Sequence, residues 1–161
     1  MVSVMLDTSF LITLHDRKRP HHETALAYWR WFEENDVHLY LSSIVVSEYC
    51  VKGRVEELPL EDGLPLPFTM RHATKSAKFF AHVHRAKGSK RDAVKDDLKI
   101  IAQAHCEGCE KLLTDDVNTM ASHARQLHAA GLCSTETLTL SEGFDAALLR
   151  PDRQRELRLE E

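Results

Sequence analysis

Hydrophobic positions in this chain alternate between short continuous runs and longer segments in which they recur every three or four residues. The runs Val2–Leu6, Val37–Leu41 and Lys111–Thr114 are mostly apolar, which is typical of strands buried on both faces of a parallel sheet. Thr137–Leu140 predicts a last strand, and Phe68–Met70 predicts a short edge strand. These runs supply the strands of the expected sheet.

Segments with helical periodicity separate the runs. Thr8 or Ser9 is expected to cap the first helix, and Ser42 or Ser43 the third, because a hydroxyl can accept an exposed N–H at a helix start. Three of the five prolines lie within residues 56–67, which predicts a loop. Strands that alternate with helices predict an α/β fold with a mainly parallel central sheet. The predicted helices cover residues 8–14, 22–34, 43–52, 71–87, 92–105 and 117–130.

Composition limits the class of protein. The chain has 161 residues, 43% of them hydrophobic, and a net charge of −4, which suits one globular domain over residues 1–150 and a charged tail at 151–161. No segment reaches about 18 uninterrupted apolar residues, and the N-terminus lacks the pattern of a signal peptide. The four cysteines do not suggest a disulfide framework in a chain of this length, so a cytoplasmic location is expected.

Four acidic residues lie in or beside apolar sequence. Asp7 closes the first run, Asp116 follows Lys111–Thr114, and Glu48 and Asp97 lie in the first turns of helices. Because ligands bind beyond the carboxyl ends of parallel strands, all four are expected to point at one place. Converging carboxylates repel one another, and a hard divalent cation relieves that repulsion. The sequence therefore predicts a metal site.

Separate structural roles for these acids are the alternative. Asp is common at helix starts, so Asp7 and Asp116 could cap helices, and Asp97 could complement a helix dipole. This alternative explains any single residue as well as a metal site does. It explains the four residues together less well.

The ordered set of motifs resembles the PIN-domain family. The matching pieces are Leu6–Ile12, Ser42–Glu48, Asp97–Ala104 and Leu112–Asp116, in an order and spacing that fit most of the chain. The resemblance implies a three-layer α/β/α fold and a metal-dependent ribonuclease, often the toxin of a VapC-like toxin–antitoxin pair. Carried over by position, it implies that the catalytic acids and metal ligands are Asp7, Glu48, Asp97 and Asp116.

The resemblance also implies how the metal is held. Ser9 corresponds to the small polar residue that often supports the metal shell. Mg²⁺ or Mn²⁺ is the expected cofactor, because oxygen ligands favour these ions over zinc, and such ions activate water and clamp phosphate oxygens. Asp96 and Asp115 double two of the acids and depart from the family pattern. The register with the neighbouring apolar residues and Thr114 favours Asp97 and Asp116 over them.

Expected partners are an RNA substrate, an antitoxin protein and a second copy of the chain in a homodimer, with no membrane. On helix 22–34, Trp29 and Phe32 are expected to face the core. Tyr28 and Trp31 are expected to face elsewhere, where they could contact a dimer partner or an antitoxin or simply be partly exposed. The adjacent reading frame bears on this expectation, since a small upstream gene for a DNA-binding protein would favour the toxin.

Cations crowd the sequence before and around Asp97. Such a strip could bring RNA to an acidic site, and Lys87, Lys90 and Arg91 are the candidate RNA-binding residues. A solvated loop and helix face is an equally good explanation of the same charges. The full strip comprises Arg85, Lys87, Lys90, Arg91, Lys95 and Lys99.

Other classes of function fit the sequence less well. His105, Cys106 and Cys109 form half of a zinc motif without a convincing second pair, so a helix end with buried thiols is favoured. A haloacid-dehalogenase-type enzyme would need a second Asp where Ser9 stands, and a phospho-receiver domain would need a late Lys after a strand. The remaining alternatives are a non-catalytic RNA-binding or scaffold domain of the same fold, and a housekeeping RNA-processing nuclease without an antitoxin.

Overall fold

The computed structural model describes residues 1–84 and 90–150, and its centre is a sheet in which all five strands run parallel. The strands lie in the order β3-β2-β1-β4-β5. This arrangement confirms the predicted parallel sheet. The strands are β1 (Val2–Leu6), β2 (Val37–Ser42), β3 (Gly63–Leu66), β4 (Lys111–Thr114) and β5 (Glu136–Thr139).

Helices cover both faces of the sheet. The chain passes from β1 through β2 to β3 in one direction and from β4 to β5 in the other, and right-handed crossovers therefore place the two sets of helices on opposite faces. The three-layer α/β/α fold is thus confirmed. The helices are α1 (Thr8–His15), α2 (His22–Glu34), α3 (Ser43–Tyr49), α4 (Met70–Phe80), α5 (Arg91–Cys106) and α6 (Met120–Ala129), with short 3-10 turns at Val55–Glu57, Leu140–Glu142 and Ala146–Leu149.

The point where the strand order reverses lies between β1 and β4. Leu6, the last residue of β1, pairs with Leu41 of β2 on one side and with Leu113 of β4 on the other. The three strands therefore end at nearly the same level. In open parallel sheets the crevice beyond such a reversal is where ligands bind.

The predicted edge strand at Phe68–Met70 is wrong, and so is the uninterrupted loop over residues 56–67. The edge strand is β3, which pairs with β2 through Leu41 and Pro65. Proline is tolerated there because an edge strand can leave one of its backbone sides unpaired. Gly63 begins the strand where a side chain would meet the Pro59 carbonyl oxygen at 3.0 Å.

Several helix ends also differ from the sequence expectation. Asp7, rather than Thr8 or Ser9, caps α1, and Ser42 caps α3. α3 ends at Tyr49 instead of near residue 52, and α4 ends at Phe80. α6 starts three residues later than predicted, because residues 117–119 form a turn after β4.

The core joins the sheet to the helices on its two faces. β4 is buried along its whole length. The side of α5 that packs into the core is buried from Val94 to Ala104. Phe32 is buried as predicted, but so is Tyr28, whose ring packs edge-on against Phe144 at 5.0 Å. The prediction that Tyr28 faces away from the core is therefore wrong. None of the helices described is long and apolar enough to cross a lipid bilayer.

Candidate active site

The four acids predicted from the sequence meet at the carboxyl edge of the sheet. Asp7 follows β1 and Asp116 follows β4, while Glu48 projects from α3 and Asp97 from α5. Their charges act on one another. Burial raises the pKa of Glu48, and the Asp7 and Asp97 charges raise it further. The structure thus brings the four carboxyl groups into one electrostatically coupled group.

Asp7 is the most buried of the four, with 4% of its surface exposed. Its Oδ2 accepts hydrogen bonds from the hydroxyls of Ser9 at 2.6 Å and Thr114 at 2.7 Å, and the backbone N–H of Ser9 also points to it. Burial raises the pKa of Asp7, and these donors lower it only in part. Both hydroxyls end on Oδ2, so Oδ1 is the oxygen that neither hydroxyl holds.

The two hydroxyls that hold Asp7 also hold the chain after β4. Ser9 Oγ accepts the N–H of Asp115 at 2.8 Å, and Thr114 Oγ1 accepts the N–H of Asp116 at 3.0 Å. Each hydroxyl therefore donates to a carboxylate and accepts from an amide. Ser9 was expected to support a metal shell or to cap the first helix. The geometry adds that Ser9 ties Asp7 to the segment that carries Asp116.

Asp97 carries a polar atom that the protein leaves unsatisfied. Its Oδ2 is buried and has no hydrogen-bond partner within the described ranges, and His123 Nδ1, 3.5 Å away, is in the same condition. That separation is too long for a normal hydrogen bond. Burial raises the pKa of Asp97, the Asp116 charge raises it further, and His123 and Thr119 lower it. A buried oxygen without a donor costs free energy that a cation would relieve.

Glu48 is fixed from the first turn of α1. Its Oε2 accepts a hydrogen bond from the Thr8 hydroxyl, so α1 and α3 are joined beside the acid group. A cavity of about 830 Å³ opens next to this contact, with Ile12, Tyr49 and Val51 among its walls. Glu48 therefore stands between the carboxyl group and an open groove.

Capping roles are present as well. Asp116 Oδ1 accepts the N–H groups of Asn118 and Thr119, at 3.0 and 2.9 Å, and its Oδ2 accepts from the Thr119 hydroxyl. Asp7 caps α1 in the same manner. Asp97 has no such role, since it lies in the second turn of α5 rather than at its start. Helix capping thus accounts for Asp7 and a turn accounts for Asp116, while the burial of Asp97 stays unexplained.

The neighbouring acids Asp96 and Asp115 are engaged elsewhere. Asp96 pairs with Lys99 at 2.7 Å on its own helix, although its charge also raises the pKa of Glu48, after burial and the Asp7 charge and ahead of the Asp97 charge. Asp115 Oδ2 accepts from Thr13 Oγ1 and its Oδ1 contacts His21 Nδ1, each at 2.6 Å. These contacts favour Asp97 and Asp116 over their neighbours.

Sequence reasoning missed the groups that hold the acids in place. Thr13, His21, Thr119 and His123 lie on α1, before α2, in the turn after β4 and on α6, and no motif singles them out. His21 and Asp115 are 94 residues apart in sequence. The one usable signal was the hydroxyl of Thr114, two residues before Asp116, which the family motif already contains.

The candidate RNA-binding residues are placed in part. Lys87 lies outside the described residues, whereas Lys90 and Arg91 are exposed at the start of α5. The Arg91 guanidinium lies 5.8 Å from the centre of the Phe80 ring, at the end of α4. Both cations precede Asp97 by about two helical turns.

The donor set fits a hard cation in its chemistry, although the carboxylates are not drawn together into a ligand shell. Within residues 1–84 and 90–150, no three His, Cys, Asp or Glu side chains are close enough to hold an ion. Carboxylate oxygens with one buried atom unsatisfied suit Mg²⁺ or Mn²⁺. The half zinc motif resolves as a helix end, because α5 ends at Cys106 and Cys109 is buried.

A family model for the PIN domain matches residues 4–126, which is most of the chain and includes all four acids. The chain belongs to the PIN-domain family. The comparison of this PIN domain with curated proteins finds no match.

Solved structures share the fold at low sequence identity. The VapC20 toxin of Mycobacterium tuberculosis, described as cleaving the sarcin-ricin loop, aligns with a TM-score of 0.57 and 16% identity over 83% of this PIN domain and 98% of that chain. VapBC2 from Rickettsia felis, bound to a fragment of promoter DNA, aligns with a TM-score of 0.56 and 15% identity, over 85% of this chain and 99% of that chain. DNA-bound VapBC from Salmonella typhimurium aligns with a TM-score of 0.53 and 17% identity, over 85% of this chain and 98% of that chain. At such identities the likeness shows the fold alone.

Proposed function

We propose that this PIN domain is a metal-dependent endoribonuclease that hydrolyses RNA phosphodiester bonds. The observation that carries the proposal is the buried Asp97 Oδ2, which has no hydrogen-bond partner in the described structure and lies where burial and neighbouring carboxylate charges raise the pKa values of Asp7, Glu48 and Asp97. A scaffold would gain nothing from this arrangement, because burying an unsatisfied carboxylate costs free energy. An active site accounts for this cost, because catalytic carboxyl groups are commonly buried and have shifted pKa values.

The metal ligands in this proposal are Asp7, Glu48, Asp97 and Asp116. When bound there, Mg²⁺ or Mn²⁺ supplies an activated water and charge neutralisation at the phosphate. Asp7 presents Oδ1 because two hydroxyls hold its Oδ2. Glu48 is aimed by Thr8.

The remaining residues keep these acids in position. Ser9 and Thr114 fix the distance between the ends of β1 and β4 by donating to Asp7 and accepting from the chain after β4. Thr119 restrains Asp116. Lys90 and Arg91 are proposed to contact RNA, since both are exposed and precede Asp97 on the same helix.

Cleavage of labelled RNA tests the enzyme. Wild-type protein should cleave in Mn²⁺ or Mg²⁺ and stop in EDTA, and Asp97→Asn should reduce the rate at least 100-fold while melting cooperatively. Asp36→Asn is the matched control, because Asp36 is exposed and precedes β2 at the opposite edge of the sheet. Equal rates for wild type and Asp97→Asn would show that the activity comes from a contaminant.

We further propose that the nuclease is the toxin of a toxin–antitoxin pair. The support is the shared fold with a protein described as an RNA-cleaving toxin and with two VapBC proteins bound to DNA. Expression should arrest growth of a bacterial host, and co-expression of the protein encoded by an adjacent small gene should restore it. Normal growth without any partner would favour the housekeeping RNA-processing nuclease. The homodimer stays a prediction, and Trp31 remains its sequence-based candidate contact because Tyr28 is buried.

A further inference from the structure

Three cations on α4 border a hollow on the protein surface. Arg71, Lys75 and Lys78 are spaced by four and three residues, which places them along one side of the helix. The hollow has a volume of about 450 Å³, and His105 and Cys106, from the end of α5, form its other wall. None of the three cations forms an ion pair within the part of the chain that the structure describes.

The positive charge of this hollow is left without an internal counter-charge in a chain whose net charge is −4. Burial lowers the pKa of His105, and the charges of Lys75 and Arg71 lower it further. Glu107, just beyond α5, is already bonded to the buried His72 at 2.7 Å. A hollow bordered by unpaired cations attracts a polyanion from solution.

The cationic side of α4 leads toward the start of α5. α4 runs back along α5, since Met70 and Cys106 line the same hollow while Phe80 contacts Arg91. Arg91 and His105 are fourteen residues apart on α5, nearly four complete turns, so both face the same side over a length of about 21 Å. Cations therefore occur at both ends of the antiparallel pair of helices α4 and α5.

We infer that Arg71, Lys75 and Lys78 form a phosphate-binding surface for single-stranded RNA that continues to Lys90 and Arg91. The inference deepens the proposed function, and it rests on RNA being the substrate. Four catalytic carboxyl groups repel a nucleic acid, so the strand has to be held by cations outside the acid group. Asp97 lies on α5 about a third of a turn round the helix axis from the side on which Arg91 lies. The bound strand passes round α5 to reach it.

RNA rather than an acidic protein is assigned because the cations follow a line instead of a patch. A single strand carries one phosphate on every nucleotide, and such a backbone meets cations in succession along a groove. The line also leads toward the helix that carries Asp97. An acidic protein would not require that direction.

The test compares two triple variants in EDTA, where no cleavage occurs. One is Arg71→Ala/Lys75→Ala/Lys78→Ala. The matched control is Arg17→Ala/Lys18→Ala/Arg30→Ala, which removes the same charge from exposed positions that form no ion pair in the described residues. Arg17 and Arg30 border a hollow of about 440 Å³ that also contains Glu23, so the control tests whether unpaired cations beside any hollow are enough. The dissociation constant of a labelled 12-nucleotide RNA is measured against KCl concentration for each protein.

Loss of the three phosphate contacts should lower the slope of log affinity against log salt by about 2, since each contact on a single strand contributes about 0.7. Affinity at 0.1 M KCl should fall at least tenfold in the α4 variant and less than threefold in the control. If the α4 variant keeps the salt slope of wild type, or if the control loses as much RNA affinity as the α4 variant, the assignment of this surface to RNA is wrong. A glutamine version of the α4 triple gives the same result if folding of the alanine triple is impaired.

Cleavage in Mn²⁺ separates the two proposals. The α4 variant should raise KM with little change in kcat and none in Mn²⁺ affinity. Wild-type protein that binds RNA with the expected slope but never cleaves it overturns the nuclease and supports the surface. Wild-type protein that cleaves RNA while the α4 triple keeps the full slope overturns the surface alone. Binding of polyglutamate that the α4 triple abolishes, together with an RNA slope that the triple leaves unchanged, assigns the hollow to an acidic protein and overturns RNA.

Discussion

The Ser9 hydroxyl accepts the backbone N–H of Asp115 at 2.8 Å while it donates to the Asp7 carboxyl group at 2.6 Å. One side chain thus joins the residue after β1 to the residue after β4, at the two strands between which the sheet reverses its order. The position of the last acid in the site depends on this contact, because Asp116 follows Asp115 directly.

Ser9→Ala should destabilise the protein by about 1–3 kcal/mol, because the Asp115 N–H and the Asp7 carboxyl group both lose a partner in a half-buried place. Urea unfolding of the metal-free protein measures the change. Ser47→Ala is the control, since Ser47 is exposed on α3, and it should shift stability by less than about 0.5 kcal/mol. Equal stability of the two variants would show that the Ser9 contact is energetically neutral.

His21 and Asp115 should show coupled effects on stability. His21 Nδ1 and Thr13 Oγ1 both hold the Asp115 carboxyl group, whose side chain is 9% exposed. A double-mutant cycle of His21→Ala and Asp115→Asn should return a coupling energy of about 0.5–3 kcal/mol, toward the lower end because the imidazole is partly exposed. The cycle of His21→Ala with Asp36→Asn should be additive. Additive effects in both cycles would show that the contact between His21 and Asp115 does not contribute to stability.

Asp97→Asn should stabilise the metal-free protein increasingly as pH rises. Burial raises the folded-state pKa of Asp97 above 3.8, so the folded protein binds the proton more tightly than the unfolded chain does. The cost of ionising Asp97 is therefore absent below about pH 4 and develops as pH rises toward the folded-state value. Melting curves in EDTA at pH 4 and pH 7 should show a gain of a few degrees for the variant only at pH 7. A gain of the same size at both pH values would exclude ionisation as its cause.

Asp116→Ala should have the opposite sign in the metal-free protein. Asp116 accepts two backbone N–H groups and the Thr119 hydroxyl, and loss of these acceptors from the turn after β4 should cost about 0.5–1.5 kcal/mol. Mn²⁺ at 100 times its dissociation constant should stabilise the wild type by about 2.7 kcal/mol and both variants, Asp97→Asn and Asp116→Ala, by much less. Melting curves with EDTA and with Mn²⁺ measure these changes. An undiminished Mn²⁺ effect in Asp97→Asn would place the ion elsewhere.

Local pattern was sufficient where a structural feature lies within one segment of chain. β1, β2 and β4 appear as apolar runs, and the acids that follow β1 and β4 could be placed at one edge of the sheet from that alone. β3 could not be found this way. Its four residues include Pro65, and it is a strand because β2 offers it a partner. The cap of α1 was ambiguous for a different reason, since Asp, Ser and Thr are all favoured caps and stand side by side.

The groups that support the acids depend on tertiary contacts that no short motif records. His123 lies beside Asp97 because α5 packs on α6, and His21 reaches Asp115 only in the folded chain. The cations of α4 escaped notice in the sequence because they are spread over a helix rather than clustered. Their relation to the start of α5 becomes visible only when the two helices are seen side by side.

The reversal of strand order between β1 and β4 also sets when the acid group can exist. Thr114 donates to Asp7 across 107 positions of sequence, so the partner of the seventh residue is synthesised only after more than two thirds of the chain. A growing polypeptide that still lacks β4 holds Asp7 without Thr114 and has no Asp116. The ribosome therefore has to synthesise β4 before the site has all its parts, and translation itself delays the moment at which the acid group can form.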